Sequence, residues 1–163
     1  MKRIYALMAL LIGLTYSSQA QTYCTTSLYG TSNCTVGDDL DDVTLNNLVQ
    51  TNTGCSTNGY ADYTADTILV QQTAFLNISV TSNYSSQWYA IWIDANDDGD
   101  FADAGEQIWA STAASGTAGT TTSSAVVIPS TVPTGNHRLR MRGKFAGSAL
   151  ASTESCSSFT YGE

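Results

Sequence analysis

Beyond residue 20, the apolar residues that keep any rhythm keep a period of two, and no stretch holds the rhythm of an amphipathic helix. Leu76, Ile78 and Val80 alternate with Asn77, Ser79 and Thr81, the pattern of a half-buried strand. Leu139, Met141 and Phe145 alternate in the same way with Arg138, Arg140, Arg142 and Lys144. Trp88 to Ile93 is a continuous apolar run, as a central strand covered on both faces requires. Gln107 to Ala110 reads as a short strand, and Ser124, Val126 and Ile128 read as another, stopped by Pro129. Val43, Leu45 and Leu48 predict one early strand after the acidic run at Asp38 to Asp42. Ser, Thr, Gly and Asn fill the intervals at 51–58, 82–87, 111–122 and 131–135, and Ser and Thr make up about a quarter of the 163 residues. The interval 111–122 is expected to close a hairpin or to bridge two sheets. Many short strands separated by turn chemistry predict an all-β fold, an antiparallel β-sandwich of jelly-roll-like form.

The first twenty residues are expected to stand outside that fold. Lys2 and Arg3 precede an apolar stretch from Ile4 to Leu14, and Ser18-Gln19-Ala20 offers small residues at the cleavage positions of a secretory signal peptide. The stretch is shorter than a membrane span needs, and no second long apolar run follows. Residues 1–20 are therefore read as a leader and 21–163 as one exported domain, with no membrane insertion after the leader is removed. Loss of Lys2 and Arg3 leaves four of the six cations against 14 carboxylates, a net charge of -10. That balance excludes a nucleic-acid backbone as the main partner and favours divalent cations. The four cysteines, Cys24, Cys34, Cys55 and Cys156, contain no Cys-x-x-Cys pair, and an even count in an exported chain predicts two disulfides. Three connectivities are open. The expected one closes a local loop with Cys34–Cys55 and ties the ends of the domain with Cys24–Cys156.

The densest chemistry lies after Ile93. Asp94, Asn96 and Asp98 place oxygen atoms at relative positions 1, 3 and 5, Gly99 follows at the turn, and Asp100 stands where such loops supply a backbone carbonyl. An EF-hand would carry a bidentate Glu at position 12, whereas here Gly105 occupies it and Glu106 comes next. The preceding segment also reads as a strand, so the expectation is a calcium-type loop on a β scaffold, closed through Glu106 or Asp103. Hard oxygen ligands without His or Cys select Ca2+ over transition metals. Six carboxylates from Asp94 to Glu106, with no cation among them in sequence, repel one another unless a counterion is held. The expected ligands are Asp94, Asn96, Asp98, Asp100, Asp103 and Glu106.

All four remaining cations, Arg138, Arg140, Arg142 and Lys144, fall on one face of a strand. They read either as an anion-binding stripe or as a polar outer face paired with acidic neighbours, and the acidic balance favours the outer face. His137 is the one histidine and reads as structural. No His-Glu-x-x-His, Gly-x-Ser-x-Gly or phosphate-cradling glycine loop is present, and the acids gather in turns, so a non-enzyme is expected. Tyr60, Tyr63, Tyr84, Trp88 and Trp109 are the rings that would serve a carbohydrate-binding module if exposed.

The block Ile91-Trp92-Ile93-Asp94-Ala95-Asn96-Asp97-Asp98-Gly99-Asp100-Phe101 with Gly105-Glu106 resembles the core of the GEVED domain family. Tyr23-Cys24, Gly54-Cys55 and Tyr60-Ala61-Asp62-Tyr63-Thr64 resemble its opening, and Ile128-Pro129, Gly135 and Arg138 to Arg142 resemble its later block. Cys156 and Gly162-Glu163 are similar to its close, so the resemblance spans residues 23–163. It implies a β-sandwich, an extracellular setting on a bacterial surface or in secretion, and a calcium-type loop, without catalysis. The name motif continues Val-Glu-Asp in the family, and the chain stops at Glu163, which implies a missing last strand and an unpaired sheet edge. The function expected is extracellular binding or adhesion to a protein or glycan. The alternatives are a carbohydrate-binding module and an accessory fragment of a larger secreted metallopeptidase.

Overall fold

The computed structural model describes residues 22–25, 28–30 and 33–163. The expected leader at residues 1–20 lies outside them. Seven strands form: β1 (Asp42–Leu45), β2 (Leu48–Gln50), β3 (Phe75–Thr81), β4 (Gln87–Ile93), β5 (Gln107–Ala110), β6 (Thr122–Val127) and β7 (Leu139–Phe145). They make two antiparallel sheets, ordered β2-β1-β3-β6 and β5-β4-β7. The single early strand expected around Val43 to Leu48 is instead a hairpin. Leu45 pairs with Leu48, and Asn46 turns the chain at φ +51°, a left-handed conformation that asparagine tolerates. The interval 111–122 bridges the sheets, since β5 and β6 belong to different ones.

Alternation decides what lies between the sheets. Leu76, Ile78 and Leu45 from the first sheet meet Ile91 and Ile93 from the second, with Ile128 and Val132 closing the end. The opposite side of β4 is also covered: Ala90 and Trp92 pack with Phe101 and Leu150 and against Tyr23 and Phe159. The continuous apolar run of β4 is thus explained by burial on both faces. The outer cover is irregular chain from both ends of the domain. Gly30 N–H donates to the Phe159 carbonyl (2.7 Å) and Phe159 N–H to the Leu28 carbonyl (2.9 Å). Cys24–Cys156 and Cys34–Cys55 are the two disulfides, the pairing expected from sequence.

Two expectations are corrected here. The outer edge of β7 is paired: Gly143 N–H donates to the Glu163 carbonyl (2.6 Å), and Phe145 N–H donates to the Tyr161 carbonyl (3.3 Å). The cations of β7 do not form a polar outer face either. Arg140, Arg142 and Lys144 are buried beneath the terminal segments. Each stacks on an aromatic ring from distant sequence: Arg140 on Phe101, Arg142 on Tyr29 and Phe159, and Lys144 on Phe159, all at 4.8 Å. Lys144 also pairs with Glu154 at 3.0 Å.

Tyr29 fastens this cover. Its hydroxyl lies 2.6 Å from the Glu163 carbonyl and 2.9 Å from the Gly143 carbonyl, and it accepts from Arg142 Nε at 3.1 Å. Burial, opposed by Arg142, pushes its pKa up to about 12. The folded pKa lies above the unfolded one, so the neutral phenol stabilises the fold fully below the ordinary tyrosine pKa near 10, and that contribution is lost as pH rises through about 12. Tyr29→Phe is expected to lose about 1–2 kcal/mol at neutral pH. It should also show a shallower alkaline fall than wild type in urea denaturation between roughly pH 10 and 12. Parallel pH profiles for the two proteins would refute the assignment.

Candidate metal centre

The acidic loop leaves the end of β4 and returns into β5. Ile93 N–H donates to the Glu106 carbonyl (2.9 Å) and Asp94 N–H to the Arg138 carbonyl (2.9 Å), so the loop is anchored to both neighbouring strands. Asp97 at φ +57° and Gly99 at φ +95° turn the chain back on itself. Asp94 is fully buried at the loop's centre. Its Oδ2 accepts from Gly99 N–H (3.0 Å) and from the Tyr23 hydroxyl (2.5 Å), and its Oδ1 accepts from Asp98 N–H (3.3 Å). Successive side chains then cap backbone two residues on: Asn96 Oδ1 accepts from Asp98 N–H, Asp98 Oδ1 from Asp100 N–H and Asp100 Oδ1 from Ala102 N–H. Glu106, also buried, holds both flanks, taking Ala95 N–H on Oε1 and Asp103 N–H on Oε2, each at 3.0 Å. Burial pushes the Glu106 carboxyl up, against the pull of those two backbone donors. Burial first, and the Asp94 bond second, hold the Tyr23 hydroxyl well above the usual phenol range.

The residues expected as ligands divide into two groups. Asn96, Asp98 and Asp103 come together: Asn96 Nδ2 donates to Asp98 Oδ2 (3.1 Å) and to Asp103 Oδ2 (2.7 Å). Asp94, Asp100 and Glu106 direct oxygens at backbone N–H groups. Among the described residues, no three His, Cys, Asp or Glu side chains gather as a ready metal-holding group. The donor set of the loop is nonetheless oxygen-only and wound by the spacing that hard-cation loops use. Its contacts among the described residues include the Asn96 amide between two carboxylates and a row of backbone N–H groups. His137 reaches in from the approach to β7, with Nδ1 3.0 Å from Asp97 Oδ1 and Nε2 2.9 Å from the Pro133 carbonyl. Sequence reasoning missed Tyr23 as the buried partner of Asp94, because the pair is 71 residues apart.

The five candidate stacking rings form no single row. Tyr63 and Tyr84 are exposed, while Trp88 packs against the outer cluster and Trp109 against the inter-sheet core.

A comparison with protein-family models matches residues 88–163 to the GEVED domain. Over these residues the chain is similar to the GEVED family. The match runs from Trp88 in β4 through the acidic loop to Glu163, and the opening blocks from Tyr23 to Thr64 that share the resemblance lie before it. No curated protein and no solved structure matches the chain. The fold and the GEVED family fit a non-catalytic accessory module. The two disulfides fit an oxidising compartment, and among the described residues no helix is long and apolar enough to cross a membrane. The Gly-Glu pair of the name motif has a structural explanation here. A Cβ on Gly162, whose φ is +141°, would lie 2.2 Å from the Gly143 carbonyl oxygen and 2.5 Å from the Tyr29 ring. The Glu163 carboxylate accepts Leu40 N–H (2.8 Å) and Ser56 N–H (3.0 Å), joining two loops to the edge of β7.

Proposed function

We propose that this GEVED-like domain is an exported, non-catalytic binding or adhesion module whose acidic loop takes up Ca2+ and is stiffened by it. The observation that carries the reading is the loop itself: oxygen-bearing side chains at Asp94, Asn96 and Asp98, with Gly99 donating to Asp94 at the turn. Asn96, Asp98 and Asp103 already share one amide between them, and a dication is the stronger counterion for the same carboxylates. Asp94, Asn96, Asp98, Asp103 and Glu106 would hold the ion, with Asp100 contributing its carbonyl. The ion's contribution is structural: it binds the folded loop and not the unfolded chain, and so stabilises the connection between β4 and β5.

Calorimetric titration with Ca2+ should show one saturable site. At about a hundred times the dissociation constant the expected stabilisation is about 2.7 kcal/mol. For a domain of this size that is roughly 5–10 °C in Tm. Asp98→Asn together with Asp103→Asn should abolish the shift. A Tm unchanged between excess Ca2+ and chelator would overturn the proposal.

A further inference from the structure

The inter-sheet core is not closed on every side. Residues 60–73 form a strap without strand pairing, and nearly all of its residues are exposed. Ile68 anchors it to the core, Gln72 bonds the Ser130 and Val132 carbonyls, and a few further bonds tie it elsewhere. Asn47 holds Thr67 and Leu69 (3.3 and 3.2 Å), Gln50 Nε2 donates to Asp66 (2.9 Å), and Thr73 N–H donates to the Ile128 carbonyl (3.0 Å). Between strap and sheets lies a cavity of about 1030 Å³. The half-buried Val43, Leu48, Ile68, Leu139 and Met141 line its apolar side, and Tyr60, Tyr63, His137 and Arg138 line its polar end. An open groove of this size, bordered by half-buried apolar side chains on one side and polar ones on the other, has the dimensions of a small-molecule site.

Charge at the polar end narrows the occupant. The carboxylates on the wall have partners: Asp62 caps Thr64 N–H, which holds its pKa down, and is drawn down further by the charge of Arg138 without a hydrogen bond to it, Asp66 takes Gln50, Asp97 takes His137, and Glu163 takes Leu40 and Ser56 N–H. Arg140 and Arg142 give their donors to backbone carbonyls, and Lys144 pairs with Glu154. Arg138 differs. Its guanidinium rests on the Tyr23 ring at 4.8 Å and makes no hydrogen bond or ion pair among the described residues. A half-buried guanidinium fixed by stacking, with its donor fork free, suits a carboxylate, which it can hold with two parallel bonds. The acidic surface of the domain opposes multiply charged ligands, so a single negative charge fits best.

We propose that the cavity under the strap binds a small amphipathic monocarboxylate, its acyl or similarly apolar body along the underside of the strap and its carboxylate on Arg138. The site adjoins the acidic loop at Asp97 and, through Tyr23, at Asp94, but uses none of the loop's oxygens to hold the ligand, so binding in Ca2+ and in chelator distinguishes the two proposals. The test is titration of the purified chain with decanoate, decan-1-ol and butyrate, in Ca2+ and again in chelator. Decanoate should bind at one site per chain, with decanol and butyrate each at least tenfold weaker. Arg138→Gln should bring decanoate down to the decanol level and leave decanol unchanged. Leu48→Trp, which fills the apolar end from a half-buried position, should weaken decanoate and decanol alike. Circular dichroism establishes that each variant is folded. Absence of saturable binding, equal affinity for acid and alcohol, or an Arg138→Gln variant that binds decanoate as wild type does would each overturn the proposal.

Discussion

Arg142→Met should cost the domain about 2–4 kcal/mol, a large share of the total stability of a chain this size. Arg142 is 1% exposed and makes no ion pair with a carboxylate among the described residues. Its donors go to backbone instead: Nη1 to the carbonyls of Glu154 (2.7 Å) and Ser155 (3.1 Å), Nη2 to those of Ser157 (2.9 Å) and Leu28 (3.3 Å), and Nε to the Tyr29 hydroxyl (3.1 Å). Methionine has similar reach and relieves the buried charge, which taken alone would stabilise. Against that, the Ser157 carbonyl loses its donor in an enclosed place, a loss of about 1–3 kcal/mol, while the carbonyls of Leu28, Glu154 and Ser155 lose the charged donor and keep only Phe159 N–H, Ser157 N–H and Arg140 Nη1. The stranded Ser157 carbonyl, the three weakened ones and the lost stacking on Tyr29 and Phe159 together outweigh the relieved charge.

The same residue predicts where the damage falls. Leu28 belongs to the N-terminal segment, and Glu154, Ser155 and Ser157 belong to the C-terminal one, so a single side chain laces both onto β7. Urea denaturation should therefore show the lowered midpoint, and hydrogen exchange should accelerate first at Gly30 and Phe159, whose amides bond across those two segments. Arg142→Lys keeps the charge but presents one ammonium where a planar fork spans four carbonyls, and should recover less than half of the loss. A loss below about 1 kcal/mol for Arg142→Met would show that the carbonyls find water or other partners readily.

The strands were legible because each was written in period two or as an unbroken apolar run. β5 and β7 fall where the pattern places them, since a half-buried strand leaves its alternation in the sequence whatever covers it. β1 and β2 merged in the reading because β2 is three residues long and offers too few positions for a period to emerge. The face of β7 was misread for a different reason. Charge in a strand ordinarily marks solvent, and the aromatic rings that bury Arg140, Arg142 and Lys144 come from Tyr29, Phe101 and Phe159, far away along the chain. Nothing local separates a solvated arginine from one stacked under a distant segment. The oxygen spacing of the acidic loop was visible in the sequence, as was its displaced Glu106. Its internal hydrogen bonding was not visible, because it depends on which backbone amides the turn at Asp97 and Gly99 points inward. The strap at 60–73 has no period at all, so the cavity beneath it left no trace except the aromatic and acidic letters of Tyr60 to Tyr63.

Removing Cys24–Cys156 should destabilise the domain more than removing Cys34–Cys55, by about 5 against about 3 kcal/mol. The first bridge spans 132 residues and the second 21, and the entropy withheld from the unfolded chain grows with the logarithm of that span. The local setting adds to the difference. Arg140 Nη1 lies 2.6 Å from Cys24 Sγ and 3.5 Å from Cys156 Sγ, donates to the Ser155 carbonyl (3.1 Å) and, through Nη2, to the Cys24 carbonyl. Burial lowers the Arg140 pKa to about 10, yet it stays charged at neutral pH and needs those partners. Cys24→Ser with Cys156→Ser frees the N-terminal segment to leave, which strips Arg140 of the Cys24 carbonyl and both sulfurs, and Asp94 of the Tyr23 hydroxyl one residue before Cys24. The long bridge therefore holds closed the cover over both the buried cations and the acidic loop, whereas the short one fastens only the loops beside Glu163. Equilibrium unfolding of the two double variants decides the matter. Equal losses, or a larger loss from Cys34→Ser with Cys55→Ser, would mean that the terminal cover stays docked without its covalent tie and that the β7 stack alone is enough to hold it.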